Sequence, residues 1–252
     1  MVPRPGSAAL SRPIGGLNSG PGCDMMPLES FRGCDNVRNI CWIVGAGEFS
    51  GAMPPIAEND LVIAADAGYL VLSRLGVRID RVVGDFDSLG KAPVHPDVEV
   101  HPAEKDETDM MLAVRSALSA GCRDVRIYGG LGGRLDHSCA NLQTLLFIAR
   151  QGARGWLIGQ DVAITAVTNG VLRFSNEAEG IVSVFAADGT AHGVTLEGLK
   201  YPLTDYTMTA DVPIGVSNEF TGKPSRIAVR DGALTVMAGA GLPEWLEPSE
   251  QE

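Results

Sequence analysis

The stretch LVIAADAGYLVLSRLGVRIDRVVGDFDS, Leu61 to Ser88, sets the fold class. It contains two short apolar runs, Leu61–Ala65 and Arg81–Val83, separated by an amphipathic segment, Tyr69–Leu75. Each run is closed by an aspartate and glycine, with Asp66 after the first and Asp85 and Asp87 after the second. Strand, helix and strand in that order form a βαβ unit, whose two strands lie parallel in one sheet.

The same alternation continues on both sides. Ile40–Val44, Val98–Val100, Val125–Tyr128 and Trp156–Ile158 read as further strands, and Glu107–Ala120 and Leu135–Arg150 as helices. In the last helix, Leu135, Cys139, Leu142, Leu145, Leu146 and Ala149 recur at spacings of three and four, which predicts that this face is the buried one. After Gly159 the pattern changes to short runs at Val162–Val167, Val171–Phe174, Ile181–Phe185, Arg226–Val229 and Ala233–Val236. Turn pairs stand at Asn169-Gly170, Asp188-Gly189 and Asp231-Gly232, and no helical pattern intervenes. The expected architecture is a parallel-sheet α/β/α domain over residues 37–159 and a smaller antiparallel β-sandwich over 160–240. Residues 1–36, rich in Pro, Gly and Ser, read as a disordered extension, and 241–252 as a C-terminal tail.

Composition narrows the functional classes. The 252 residues are 45% hydrophobic and 20% charged, with no apolar run approaching a bilayer span. A formal charge of −11 opposes general nucleic-acid binding, which relies on clustered Lys and Arg. The five cysteines include no C-x-x-C pair, so neither a disulfide framework nor a zinc site is indicated, and a reducing cytoplasm is the expected compartment.

Ligands of an open parallel sheet bind beyond the carboxyl ends of its strands, near the point where strand order reverses. The polar residues collect there. Asp85 and Asp87 would point to one side if the strand continued, and two such carboxylates need a bridging cation, for which Mg²⁺ is suited. An Asx-turn is the alternative. In KDETDMMLA, Lys105–Ala113, Asp106 fits a helix N-cap with Asp109 three residues on, while Lys105 beside acids also fits a metal–phosphate site. In GGLGGRLDH, Gly129–His137, four glycines allow close backbone approach to an anion at a helix N-terminus; Arg134 could clamp phosphate and Asp136 could serve as ligand, base or cap. Gly45-Ala46-Gly47 lacks the third glycine of a dinucleotide fingerprint, which argues against an NAD site, and no P-loop sequence is present.

Six segments in order, ADAG (65–68), GDFDS (84–88), KDETD (105–109), GGRLDH (132–137), GLKYPL (198–203) and SNEF (217–220), make residues 39–238 resemble the thiamine pyrophosphokinase family. The resemblance implies transfer of a diphosphoryl group from ATP to the hydroxyl of thiamine, giving thiamine diphosphate and AMP. It implies a homodimer in which an α/β domain binds ATP and Mg²⁺ and a β-sandwich completes the thiamine pocket across the dimer interface. On this basis Asp85, Asp87 and Asp109 are the expected Mg²⁺ ligands, with Asp66 and Asp106 near metal or nucleotide. Lys105, Gly132, Gly133 and Arg134 would face ATP, Asp136 would stand beside the reacting groups, and Ser217 and Asn218 would contact thiamine. Asp136 and Asp106 both remain candidates for the general base. Ala67 departs from the glycine pair common in the family, and its methyl would narrow the approach to nucleotide. The competing functions are a diphosphokinase with another alcohol acceptor, such as a hydroxymethylpterin, and a non-catalytic nucleotide sensor.

Overall fold

A computed structural model of the chain describes residues 40–49, 53–87, 90–102 and 104–247. The extension expected at 1–36 lies outside them, as do Cys23, Cys34 and Ser88. The first-half strands are β1 (Cys41–Val44), β2 (Leu61–Ala65), β3 (Arg81–Gly84), β4 (Val98–Val100), β5 (Asp124–Tyr128) and β6 (Arg154–Ile158). All six run parallel in the order 6-5-1-2-3-4, so the direction of winding reverses between β1 and β5. That reversal opens a crevice at the carboxyl ends of the strands.

Helices α1 (Gly68–Leu75), α2 (Asp109–Ser119) and α3 (Leu135–Arg150) cover both faces of this sheet. Met110, Ala113 and Val114 of α2 and Leu145 and Ile148 of α3 pack on Ile43, Ile63, Val83 and Val125. Leu72 of α1, joined by Phe86, packs against Trp42, Val44, Val62 and Val82 on the other face. Two details differ from expectation. The N-cap of α2 is Thr108, whose hydroxyl accepts from the Met111 N–H at 3.2 Å; Asp109 is already the first helical residue and Asp106 lies outside the helix. In α3 the buried residues are Asn141, Thr144, Leu145 and Ile148, whereas Leu135 is 77% exposed and Cys139 is exposed. The first turn of α3 rises over the crevice, not over the sheet, so an apolar residue there has nothing to pack on.

The second half is β throughout: β7 (Ala163–Thr168), β8 (Val171–Phe174), β9 (Ile181–Ala186), β10 (Thr190–Glu197), β11 (Leu203–Thr209), β12 (Asn218–Glu219), β13 (Ser225–Ala228) and β14 (Ala233–Ala238). It forms a sandwich, but one of its leaves is the parallel sheet continued. Strand β7 pairs antiparallel with β6, and β14, β9 and β12 follow in turn, extending the sheet to ten strands. The other leaf is a separate antiparallel sheet, β11-β10-β13-β8. Trp156, Phe174, Val184, Leu196, Ile227 and Val236 fill the space between the leaves. Strand β10 has no counterpart in the sequence reading. Its alternation is broken at Gly193, where φ is +67° and the register with β11 shifts, which marks a bulge. Residues Leu242–Trp245, within the stretch read as a tail, form a helical turn, α4, with Leu242 fully buried and Leu246 bridged to Phe174. Among the described residues no helix is long and apolar enough to cross a membrane.

Candidate active site

A cavity of about 450 Å³ occupies the crevice between β1 and β5. Its walls come from the carboxyl ends of four strands and the first turns of α2 and α3. They include Asp66, Asp85, Lys105, Glu107, Asp109, Gly129, Gly130, Gly132, Gly133, Arg134, His137 and Asn141. The segments after β1 and β5 meet edge to edge, with Gly45 N–H on the Tyr128 carbonyl and Gly47 N–H on the Gly129 carbonyl, both at 2.8 Å. A Cβ on Gly47 would stand 2.5 Å from the Gly129 oxygen, which explains the Gly-Ala-Gly without any dinucleotide.

The two aspartates of GDFDS come together by a route the strand pattern did not foretell. Strand β3 stops at Gly84, and Phe86 turns into the left-handed region (φ +59°) with its ring buried in the core. The ring anchors a turn in which the Asp87 N–H donates to Asp85 Oδ1 at 3.2 Å, so the Asx-turn is present. It also leaves carboxylate oxygens of Asp66, Asp85 and Asp87 within 4.8 Å of one another. Asp66, likewise left-handed (φ +48°), approaches because β2 and β3 converge, a Cβ on Gly84 lying 3.1 Å from Asp66 Cα. Left-handed non-glycine residues cost free energy and cluster at functional sites. An all-oxygen set carrying three negative charges suits a hard divalent cation such as Mg²⁺.

Lys105 lies beside this group. Its ammonium donates to Asp85 Oδ2 at 2.6 Å and pairs with Asp109 Oδ1 at 2.9 Å. The hydrogen bond from Lys105, reinforced by the Asp87 N–H, holds the Asp85 carboxyl below the usual carboxylate range. Burial works against the charge on Lys105, but its bonds to Asp85 and Asp109 outweigh burial and raise its pKa. Asp109 therefore sits against the lysine and not within the three-carboxylate group, and exposed Asp106 does not line the cavity. On the opposite lip, Arg134 forms a two-pronged ion pair with Asp136 at 2.6 and 3.2 Å, both side chains being solvent-exposed. That pair lowers the Asp136 pKa.

Ser217 and Asn218 stand elsewhere, in and beside β12, and neither lines this cavity. Asn218 is buried, and its amide makes three hydrogen bonds. Its oxygen accepts from the Tyr201 and Glu219 N–H groups, each at 2.9 Å, and its nitrogen donates to the Tyr201 carbonyl at 2.7 Å. It ties GLKYPL to SNEF and presents exposed Ser217, itself left-handed at φ +58°. Glu107, His137 and Asn141 line the cavity without having been singled out. Glu107 and His137 fall inside the KDETD and GGRLDH segments, and Asn141 left its trace as a polar residue between apolar positions of its helix.

Ala67 is harmless in this geometry. It is the N-cap of α1 with φ −66° and ψ −4°, conformations open to any residue, and it is not part of the cavity wall. The position that requires glycine is Gly68, where a Cβ would lie 1.9 Å from the Val44 oxygen.

Residues 55–157 match the model of the thiamin pyrophosphokinase catalytic domain, and residues 171–234 that of the thiamin pyrophosphokinase vitamin B1 binding domain. The chain belongs to the thiamine pyrophosphokinase family. Within that family, the thiamine pyrophosphokinase of Bacillus subtilis (strain 168) is 29% identical over 187 residues, covering 71% of this chain and 87% of that protein. The crystal structure of the Bacillus subtilis enzyme superposes with a TM-score of 0.69 at 27% identity, over 79% of this chain and 98% of its own. The enzyme from Geobacillus thermodenitrificans gives 0.67 at 29% identity, over 79% and 97%. The Candida albicans enzyme, at 14% identity and a TM-score of 0.61 over 81% and 90%, shares the fold.

Proposed function

We propose that this chain is a thiamine diphosphokinase, moving a diphosphoryl group from Mg-ATP to the hydroxyl of thiamine. The observation that carries the reading is the convergence of a three-carboxylate group, a lysine and a glycine-rich loop on one cavity at the sheet's switch point. Asp66, Asp85 and Asp87 would hold the metal, with Asp109 supporting Lys105. Mg²⁺ bound there supplies charge neutralisation and alignment of the phosphates.

The chain's own residues do the rest. N–H groups of Gly132 and Gly133 and the Arg134 guanidinium receive phosphate oxygens at the N-terminus of α3, where the helix dipole favours an anion. Lys105 is close enough to its carboxylates to turn between them and a phosphate. The thiamine hydroxyl oxygen attacks the β-phosphorus, the bond from that phosphorus to the α,β-bridging oxygen breaks, and AMP leaves with the electron pair. Asp136 and Asp106 are both candidates for the proton acceptor; neither is part of the cavity wall, but Asp136 is bonded to Arg134 and to the N–H of His137, which are.

We further propose a division of labour in which residues 37–159 bind ATP and residues 160–240 bind thiamine. Ser217 would touch thiamine, and Asn218 would hold Ser217 in place. Since the Ser217 turn does not line the nucleotide cavity, the reading includes a homodimer in which one copy's turn completes the other's site. A cytoplasmic location accords with this chemistry.

The test is AMP release dependent on both thiamine and Mg²⁺, with the product identified by mass spectrometry. A screen with a hydroxymethylpterin as acceptor separates the nearest alternative, and failure to form AMP with any alcohol would favour a nucleotide sensor. Asp87→Asn should abolish turnover while leaving the circular dichroism and melting profile close to wild type; near-normal AMP release by that variant would remove the metal assignment.

A further inference from the structure

The loop Gly129–Gly133 has an unusual requirement. A loop that receives phosphate must turn N–H groups toward the anion and keep its carbonyl oxygens away. Glycine peptides, having no side chain to hold them, rotate easily between the two. Gly129, Gly132 and Gly133 all take positive φ, at +62°, +80° and +62°. Because each peptide unit is planar and trans, fixing a carbonyl on one side fixes the next residue's N–H on the other.

Three successive carbonyls of this loop are fixed. The Gly129 oxygen accepts from the Gly47 N–H at 2.8 Å and the Leu131 oxygen from the Glu48 N–H at 3.2 Å. The middle one, on Gly130, accepts from Asn141 Nδ2 at 2.7 Å. The N–H groups of Leu131, Gly132, Gly133 and Arg134 meet no acceptor among the described residues. Two of the three pins are backbone N–H groups, and at Gly47 the close approach to the Gly129 oxygen requires glycine. The third is a side chain.

That side chain is out of keeping with its surroundings. Asn141 is 6% exposed within the buried face of α3, next to Leu145 and Ile148. Asparagine is a poor helix former there, and a buried amide is costly unless hydrogen-bonded. A leucine would serve the packing better. Asn141 also lines the cavity directly, and Gly130 leaves no room for an alternative placement, since a Cβ there would meet Leu157 Cδ1 at 2.5 Å and Asn141 Nδ2 at 3.2 Å.

We propose that Asn141 is a positioning residue for nucleotide: through the Gly130 carbonyl it prevents the glycine loop from turning a carbonyl toward the phosphates. This rests on the loop being the phosphate-binding element of the proposed function. It acts through the loop and need not touch the reacting atoms. Asn141→Leu keeps the branched four-heavy-atom side chain and removes the donor. A folded variant should bind Mg-ADP roughly tenfold more weakly by calorimetry, the loss expected for one buried hydrogen bond. Its KM for ATP should rise while its KM for thiamine stays unchanged, and backbone amides of 129–134 should exchange faster with no acceleration in β2 or β14. A purely structural role would lower the melting temperature and leave the ADP affinity and the split between the two KM values untouched. If Asn141→Leu fails to fold, Asn141→Asp, which puts an acceptor where the donor stands, is read in the same way. Wild-type ADP affinity in either folded variant overturns the assignment alone, whereas absence of ADP binding by the wild-type protein overturns the proposed function and the assignment with it.

Discussion

At Asp85 the two readings of an acidic dipeptide turn out to be compatible. One oxygen closes the Asx-turn that shapes the segment and the other meets Lys105, so local geometry and site chemistry use the same carboxylate. What neither D-x-D spacing nor charge could disclose is the role of Phe86 between them, whose buried ring holds the turn in its left-handed conformation. Glycine 68 carries a similar hidden demand. Gly68→Ala would drive a methyl into the Val44 carbonyl, and should cost about 3 kcal/mol or more in a urea titration, whereas Ala67→Gly should leave the affinity for ATP unchanged. Asp124, at the start of β5, gives a pH signature. Burial, opposed by Arg126 and Arg154, pushes its carboxyl above the ordinary value of 3.8. The folded state then holds that proton more tightly than the unfolded chain, so the group's contribution to stability is complete below 3.8 and is lost as pH rises through the raised value. Asp124→Asn should therefore gain stability relative to wild type between acid and neutral pH, and a difference that stays flat across that interval would disprove the assignment.

Among the elements, α2 shows how a correct helix can carry a wrong cap. Asp106 and Thr108 are both good capping residues, and only the path of the chain leaving β4 decides that the threonine hydroxyl reaches an N–H of the first turn. Thr108→Ala should destabilise the fold by about 1 kcal/mol, while Asp106→Ala should be neutral in the same thermal unfolding measurement. Most strands of the first half were legible to within a residue or two because β1, β2, β3 and β6 are short apolar runs buried on both faces, the pattern a parallel sheet imposes. On α3 the expected face holds at Leu142, Leu145 and Ala149 and fails at Leu135 and Cys139, because periodicity reports where apolar residues lie and not where the sheet ends beneath them. Strand β10 was missed because a bulge at Gly193 breaks the period of two. The turn α4 was passed over for its brevity, yet Leu242 is fully buried and Trp245 meets Phe220 edge-on at 5.9 Å. Leu242→Ala should cost about 2–5 kcal/mol, measured as a lowered urea midpoint with activity retained in the folded fraction.

For the whole molecule, the proposed site spans two surfaces that do not share a cavity in one chain: the acidic rim and the Ser217 turn. If the active unit is a homodimer with shared sites, mixing inactive Asp87→Asn with a variant inactivated at Ser217 should restore about a quarter of wild-type activity, since half the dimers are mixed and each has one intact site. No recovery after refolding the two together would indicate that each chain works alone. The sequence by itself determined the succession of elements, the half of the chain that is parallel, and the family, because apolar period and short polar motifs are local properties. The tertiary structure decided which carboxylates meet, that Lys105 stands between Asp85 and Asp109, that Asn218 is spent on holding a turn, and that both halves share one ten-stranded sheet. Those are relations between residues far apart along the chain, set by where strands end and how closely loops can approach, and no local pattern encodes them.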